Sequence, residues 1–242
     1  MKILALDSSG IVASVAVVED DTLLAEYTVN YKKTHSQTLL PMLDEIVKMT
    51  ELELESIDAI AVAAGPGSFT GLRIGSATAK GLGLALKKPL VAVPTVDALA
   101  YNLYDAQGLI CPIMDARRKQ VYTGIYRFEE HQLKTLKEQW AAPVEELLEE
   151  LNWRGEAVTF LGDGVPVFRE LIAEKLKVPY SFAPAHVNKQ RAAAVAALGS
   201  IYYKEGRTQT DVEHVPEYLR VSQAERERAE REKAQKQAGT TV

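Results

Sequence analysis

Along the chain, short apolar runs alternate with amphipathic stretches, and each change of period marks a change of element. Residues 2–9 are almost continuously apolar and end in Asp7-Ser8-Ser9-Gly10, the pattern of a buried strand entering a polar turn. Residues 12–19 and 22–31 follow as strands, with Asp20-Asp21 as the hairpin turn between them. Leu39, Leu40, Leu43, Ile46 and Val47 recur at helical spacing, which predicts an amphipathic helix over 34–49 with Thr34 or Ser36 as its cap. His35 at its start reads as a capping or packing residue rather than a ligand. A short apolar strand from Ile57 onward runs into Gly65-Pro66-Gly67-Ser68, and a helix over 70–87 follows, capped by Ser68 or Thr70. Gly65 and Gly67 allow positive φ around the fixed φ of Pro66.

The second half repeats this grammar. After a strand at 90–93 and a helix at 95–102 capped by Thr95, strands are predicted at 109–114, 120–128 and 132–140. The turn between the first two carries Asp115-Ala116-Arg117-Arg118-Lys119. A helix over 143–151 begins with Pro143, a strand at 158–161 ends in Gly162-Asp163-Gly164, and helices follow at 168–176 and 191–205. Two halves that each open on three strands and then alternate with helices predict a duplicated α/β unit.

Within the helix after the first glycine turn, Gly71, Gly75, Ala79 and Gly83 recur every fourth residue. Interior glycines cost about 1 kcal/mol each against alanine, so close packing must offset them. That packing is either the chain's own sheet or another protein's backbone, and the pattern alone does not choose. On the second alternative, leucine at Gly75 or Ala79 would abolish partner binding and leave the chain folded.

Composition narrows the chemistry. A formal net charge of −5 argues against autonomous nucleic-acid binding, which normally shows a basic stripe. The single cysteine, Cys111, excludes an internal disulfide and fits a reducing compartment; its apolar mid-strand setting reads as an inert buried thiol. With no signal peptide and no apolar run near the roughly 20 residues of a membrane span, the chain reads as cytoplasmic. The glycine turn lacks the Gly-Lys-Ser/Thr of a P-loop and the third glycine of a dinucleotide fingerprint. Four scattered histidines give no metal-binding pair, so no metal is expected. Asp7-Ser8-Ser9 offers a carboxylate and two hydroxyls, as turn chemistry or as a phosphate- or metal-facing hairpin. Residues 222–237 are a charged run without an apolar face, a solvated helix or an arm.

Asp7-Ser8-Ser9 with Ala13–Val17, Thr34-His35-Ser36-Gln37-x-Leu39-Leu40-Pro41, and Gly65 through Gly75 together resemble the TsaB (YeaZ) family. Asp115-Ala116-Arg117-Arg118 before Val121-Tyr122, and Pro216-x-Tyr218-Leu219-Arg220, resemble it further along, so that the likeness covers about residues 1–220. It implies an actin-like (sugar kinase, Hsp70, actin) duplicated two-lobed α/β fold with mixed sheets flanked by helices. The first lobe would span 1–108 and be completed by the helix 189–206, and the second 109–188. A C-terminal segment 207–221 and the charged tail 222–242 would follow.

The resemblance further implies a non-catalytic partner of a TsaD-type enzyme, acting in N6-threonylcarbamoyladenosine formation at position 37 of tRNAs that read ANN codons. A TsaE-type ATPase would join the pair, the chain alone would form a homodimer, and tRNA would be met only through the complex. The first two helices would build the partner interface, through His35, Thr38, Leu39 and Met42 on one and Gly71, Arg73, Gly75, Ala79 and Gly83 on the other. No catalytic residue is assigned. Nucleotide at Asp7, Ser8, Ser9, Gly65 and Gly67, or ATP or ADP at the partner interface, is the cofactor expectation. Catalytic paralogues carry a histidine pair on the helix that matches 95–102; Thr95 and Leu99 stand at those positions and cannot replace imidazole at iron or zinc. The rivals are a glycoprotease-type peptidase and an actin-like phosphotransferase.

Overall fold

The computed structural model describes residues 1–31 and 33–220. The charged run at 222–237 lies outside the described residues. The first half forms a five-stranded sheet in the order β3-β2-β1-β4-β5, from β1 (Lys2–Asp7), β2 (Ala13–Glu19), β3 (Thr22–Val29), β4 (Ala59–Gly65) and β5 (Leu90–Pro94). The second half forms another, β10-β9-β6-β7-β8, from β6 (Leu109–Asp115), β7 (Gln120–Glu129), β8 (Gln132–Pro143), β9 (Val158–Leu161) and β10 (Tyr180–Phe182). In both, the opening strand is central, antiparallel to the next strand and parallel to the fourth. The duplication predicted from the element pattern is therefore real down to strand order. β10, three residues long, carried too short a pattern to be anticipated.

The helices repeat as well: α1 (Leu39–Thr50), α2 (Phe69–Leu86) and α3 (Thr95–Tyr101) in the first half, and α4 (Val144–Arg154), α5 (Val165–Lys175) and α6 (Ala192–Lys204) in the second. α1 and α2 cover one face of the first sheet, burying Leu39, Met42, Leu43, Ile46 and Ala79 with Leu4, Leu6 and Val62. α6 covers the other face, with Val195 and Leu198 on Ile3, Ala5 and Val91. Each such fully buried Leu, Ile or Val side chain contributes about 1.5–3 kcal/mol. β1 is continuously apolar because both of its faces are covered, whereas edge strand β3 exposes Leu23 and Tyr27.

The last helix of each repeat also serves the other half. α3 buries Val96, Leu99 and Ala100 against Ile110, Met114 and Tyr126, next to the second sheet. α6 belongs by sequence to the second half yet completes the first sheet. Its N-terminal Ala192 amide donates to Ser14 Oγ at 2.9 Å, and Arg191 pairs with Glu26.

Several local expectations are corrected. The first helix begins at Leu39; His35–Gln37 is a separate 3-10 turn, and neither Thr34 nor Ser36 caps through its side chain. Leu40 faces solvent, and Met42 takes the core position. Thr95 does not cap α3; its buried hydroxyl accepts from the Gly65 amide at 3.2 Å. The helix expected at 168 starts at Val165, and Pro143 ends β8 instead of opening α4.

Candidate functional site

The glycine turn and the β1–β2 turn are built against each other. The Gly65–Pro66 peptide is cis and Gly65 has φ +122°, whereas Gly67 does not have positive φ. Gly67 is needed for closeness instead, since a Cβ there would collide with the Ser9 carbonyl. The Ser68 amide donates to that carbonyl at 2.7 Å, and Ser68 Oγ, as the α2 cap, accepts from the Gly71 amide at 3.2 Å. Ser8 Oγ donates to Gly71 O at 2.9 Å. Of the amides at the start of α2, those of Ser68 and Gly71 are thus engaged from within the chain.

Asp7 is buried, and its Oδ1 accepts from the Ser9 amide at 2.9 Å and from Ser9 Oγ at 2.7 Å. Burial pushes its carboxyl up to about 6, partly offset by those two bonds from Ser9. His35 Nε2 lies 2.9 Å from Gly10 O, which makes His35 a brace for this turn. Asp7 Oδ2, His35 Nδ1 and the Gln190 amide find no partner among the described residues.

Between the lobes lies a cleft of about 470 Å³. Ser9, Gly67 and Ser68 form its wall on the first lobe, and Asp115, Arg117 and Asp163 on the second, with Lys189 also lining it. Asp163 Oδ1 accepts from the Asp115 amide at 3.1 Å, and burial raises its pKa. Of the five residues expected at a nucleotide, only Ser9 and Gly67 line this cleft. Gly65 is covered by the Glu217 carbonyl, while Asp7 and Ser8 are buried beneath the turn. With the Ser68 and Gly71 amides engaged and the Asp115 and Asp163 carboxylates opposite, these five residues do not make a phosphate cradle.

A strap over 207–220, expected only as a C-terminal segment, binds both lobes. Gln209 pairs with Leu90 through two backbone bonds of 2.8 and 2.9 Å, and the Glu217 amide donates to Ala64 O at 2.7 Å. Lys80 Nζ donates to His214 O at 3.0 Å; the His214 ring is buried and its pKa is lowered, first by burial and then by Lys80. On the second lobe, Gln139 Nε2 donates to Glu217 Oε2 at 3.0 Å and Arg220 Nη1 to Ala116 O at 2.8 Å. Sequence reasoning met Pro216-x-Tyr218-Leu219-Arg220 only as a likeness. The strap has no periodic pattern, because single residues and not a face make its contacts.

The small-residue stripe of α2 faces inward. A Cβ on Gly75 would strike Ser8 Oγ, one on Gly83 would come within 2.9 Å of Leu90, and Ala79 lies in the core. Gly71, Gly75, Ala79 and Gly83 are therefore used by the chain's own sheet and are not available to a partner. Leu39 and Met42 are likewise core residues. Of the expected interface set, Arg73 is exposed and His35 and Thr38 are half-buried. A different face of α2 points outward, carrying Arg73, Ala77, Gly81 and Leu84, the last 68% exposed. Among the described residues, a Cβ on Gly81 would meet nothing within 4 Å.

Comparison with known proteins bears on these features. The chain matches the family "TsaD: tRNA N6-adenosine threonylcarbamoyltransferase" over residues 22–228. It is 35% identical over 225 residues to the "tRNA threonylcarbamoyladenosine biosynthesis protein TsaB" of Bacillus subtilis (strain 168), covering 93% of this chain and 96% of that protein. This chain belongs to the TsaB (YeaZ) family. The solved structure of YeaZ from Pseudomonas aeruginosa superposes with a TM-score of 0.77 at 25% identity, over 90% of this chain and 99% of that one. An inorganic polyphosphate/ATP-glucomannokinase from Arthrobacter sp. strain KM, 12% identical, has a TM-score of 0.50 over 85% of this chain and 99% of its own and shows the fold alone. The fold is thus the actin-like duplicated one expected of a TsaB-family chain.

The positions where the resemblance places a histidine pair in catalytic paralogues are closed in this TsaB-family member: Thr95 and Leu99 are buried in packing. Among the described residues, no group of three His, Cys, Asp or Glu side chains is arranged to hold a metal ion. Cys111 is buried, and burial pushes its thiol up to about 12, which suits packing and not nucleophilic attack. No helix among the described residues is long and apolar enough to cross a membrane.

Proposed function

We propose that this chain is a non-catalytic subunit in N6-threonylcarbamoyladenosine formation at position 37 of tRNAs that read ANN codons, and that it docks and activates a TsaD-type catalytic partner. The observation that carries the docking surface is Gly81. A glycine in the middle of an 18-residue helix costs about 1 kcal/mol, and among the described residues nothing packs over it to offset that cost. It is flanked at helical spacing by exposed Ala77 and Leu84, so the outer face of α2 suits the close approach of another helix. Exposed Leu40 on α1 extends the apolar area. Relatives that are tRNA threonylcarbamoyladenosine biosynthesis proteins support the pathway. The site of the expected histidine pair, filled here by Thr95 and Leu99, supports a partner that supplies the metal.

Alone, the same face pairs with a second copy. In the assembly a TsaE-type ATPase joins, and ATP or ADP belongs to the partner interface and not to the turn at Asp7. This reading places the work in the cytoplasm. The test is reconstitution of tRNA modification by the TsaD-type partner with and without this chain, alongside Gly81→Leu. The variant is expected to fold normally, because its side chain enters open space, and to lose co-elution with the partner and its stimulation of modification. Unchanged co-elution would overturn the proposed face, and modification at full rate without the chain would overturn the role.

A further inference from the structure

The β6–β7 turn sets Arg117, Arg118 and Lys119 in succession, each with left-handed backbone at φ 65°, 54° and 58°. Side-chain-bearing residues adopt this conformation at a cost, and glycine or asparagine would close the hairpin with less strain. All three are exposed, Arg117 with 84% of its side chain in solvent. Arg117 pairs with Asp115, 17% exposed, at 3.3 Å, while Arg118 and Lys119 form no ion pair among the described residues. Among the described residues, the turn thus presents in Arg118 and Lys119 two cations that the fold does not consume, with Arg117 largely in solvent beside them.

Further cations gather beside it. Arg220 of the strap reaches the turn through Ala116 O, and Lys189 lines the same cleft as Arg117. Aromatic surface is interleaved: Tyr218, 38% exposed, packs on Phe69 at 4.5 Å, and the Arg73 guanidinium lies 4.0 Å over Phe69. Of the nearby carboxylates, Asp163 is turned onto the Asp115 amide and Glu217 onto Gln139. In a chain of net charge −5 this rim is a local reversal of sign. Exposed Arg and Lys beside a stacking ring is the composition that grips a phosphodiester backbone and an unstacked base.

We propose that this rim is where the chain itself touches tRNA, through backbone phosphates at Arg117, Arg118 and Lys119 and a base on Tyr218. The inference rests on the reading above, that the chain works on tRNA in a complex. The patch is too small for binding by the isolated chain, and it adds to a surface supplied mainly by the partner. Three phosphate contacts steepen the decline of log affinity with log salt by about two to three units.

The experiment uses the full chain assembled with the TsaD-type partner and an unmodified transcript of a tRNA that reads an ANN codon, with affinity measured across a salt series. The variant R117G/R118G/K119G deletes the charges while suiting the positive φ of the turn, and R117Q/R118Q/K119Q keeps side-chain length. Both are expected to weaken tRNA binding by about tenfold or more near 0.1 M salt and to flatten the salt slope by about two to three units. Tyr218→Ala is expected to weaken binding less and to leave the slope unchanged. Unchanged affinity and slope in an intact complex would overturn the proposal. So would loss of the protein–protein complex itself, or loss of ATP binding with tRNA affinity unaltered, since each gives the cations another ligand. A wild-type complex that neither binds nor modifies the transcript would overturn the functional reading as well.

Discussion

The two lobes run the same chain path, yet their equivalent turns do opposite things. In the first, Asp7-Ser8-Ser9-Gly10 is folded inward: the Ser9 carbonyl and the Ser8 hydroxyl engage the α2 terminus, the carboxylate is buried, and His35 braces the turn. In the second, the corresponding Asp115–Lys119 turn stays outside, and its cations face solvent. The glycine turns differ in the same sense. Pro66 lies between Gly65 and Gly67, whereas the matching place between Gly162 and Gly164 holds Asp163, which lines the cleft. Duplication kept the backbone and divided the labour, with rigid packing on one side and polar surface on the other.

The sharpest way to break that contrast is at the paired glycines. A Cβ at Gly67 runs into the Ser9 backbone, while one at Gly164 comes within 2.9 Å of the Ile113 carbonyl. Gly67→Ala is expected to destabilise by about 3 kcal/mol or more and Gly164→Ala by about 1 kcal/mol, read from denaturant midpoints. Equal losses would mean that the first turn is no more tightly built than the second.

The buried carboxylate gives the next effect. Because the folded Asp7 pKa is raised to about 6, the native state holds its proton more tightly than the unfolded chain does. The stabilisation is complete below about pH 4 and is lost as pH rises through about 6, a change of about 3 kcal/mol. Asp7→Asn should remove this component, seen as a flatter stability-versus-pH curve; an unaltered curve would place the titration elsewhere. Asp163→Asn should flatten the curve in the same direction, because burial raises that pKa too.

The smallest effect is at Gly81. Gly81→Ala adds a methyl in open space and should stabilise the isolated chain by about 1 kcal/mol in a thermal or denaturant melt. Destabilisation would reveal packing over this face within the chain itself.

The amino-acid pattern by itself determined the two three-strand openings, the continuously buried β1 and the small-residue helix, and it narrowed that helix's cap to Ser68 or Thr70. These depend on spacing along one segment, which periodicity and turn chemistry report directly. The TsaB likeness was carried by motifs on the same segments. Only the tertiary structure decided which way the stripe Gly71-Gly75-Ala79-Gly83 points, because a helix with small residues on more than one side offers several equivalent close approaches. The answer, Ser8 against Gly71 and Gly75, depends on a strand more than 60 residues away. The return of the last helix to the first lobe was expected only from the TsaB likeness; the strap, the packing of α3 on the second lobe, and the placement of Arg220 beside Arg117 were out of reach. They rest on single long-range contacts, which leave no period in the sequence.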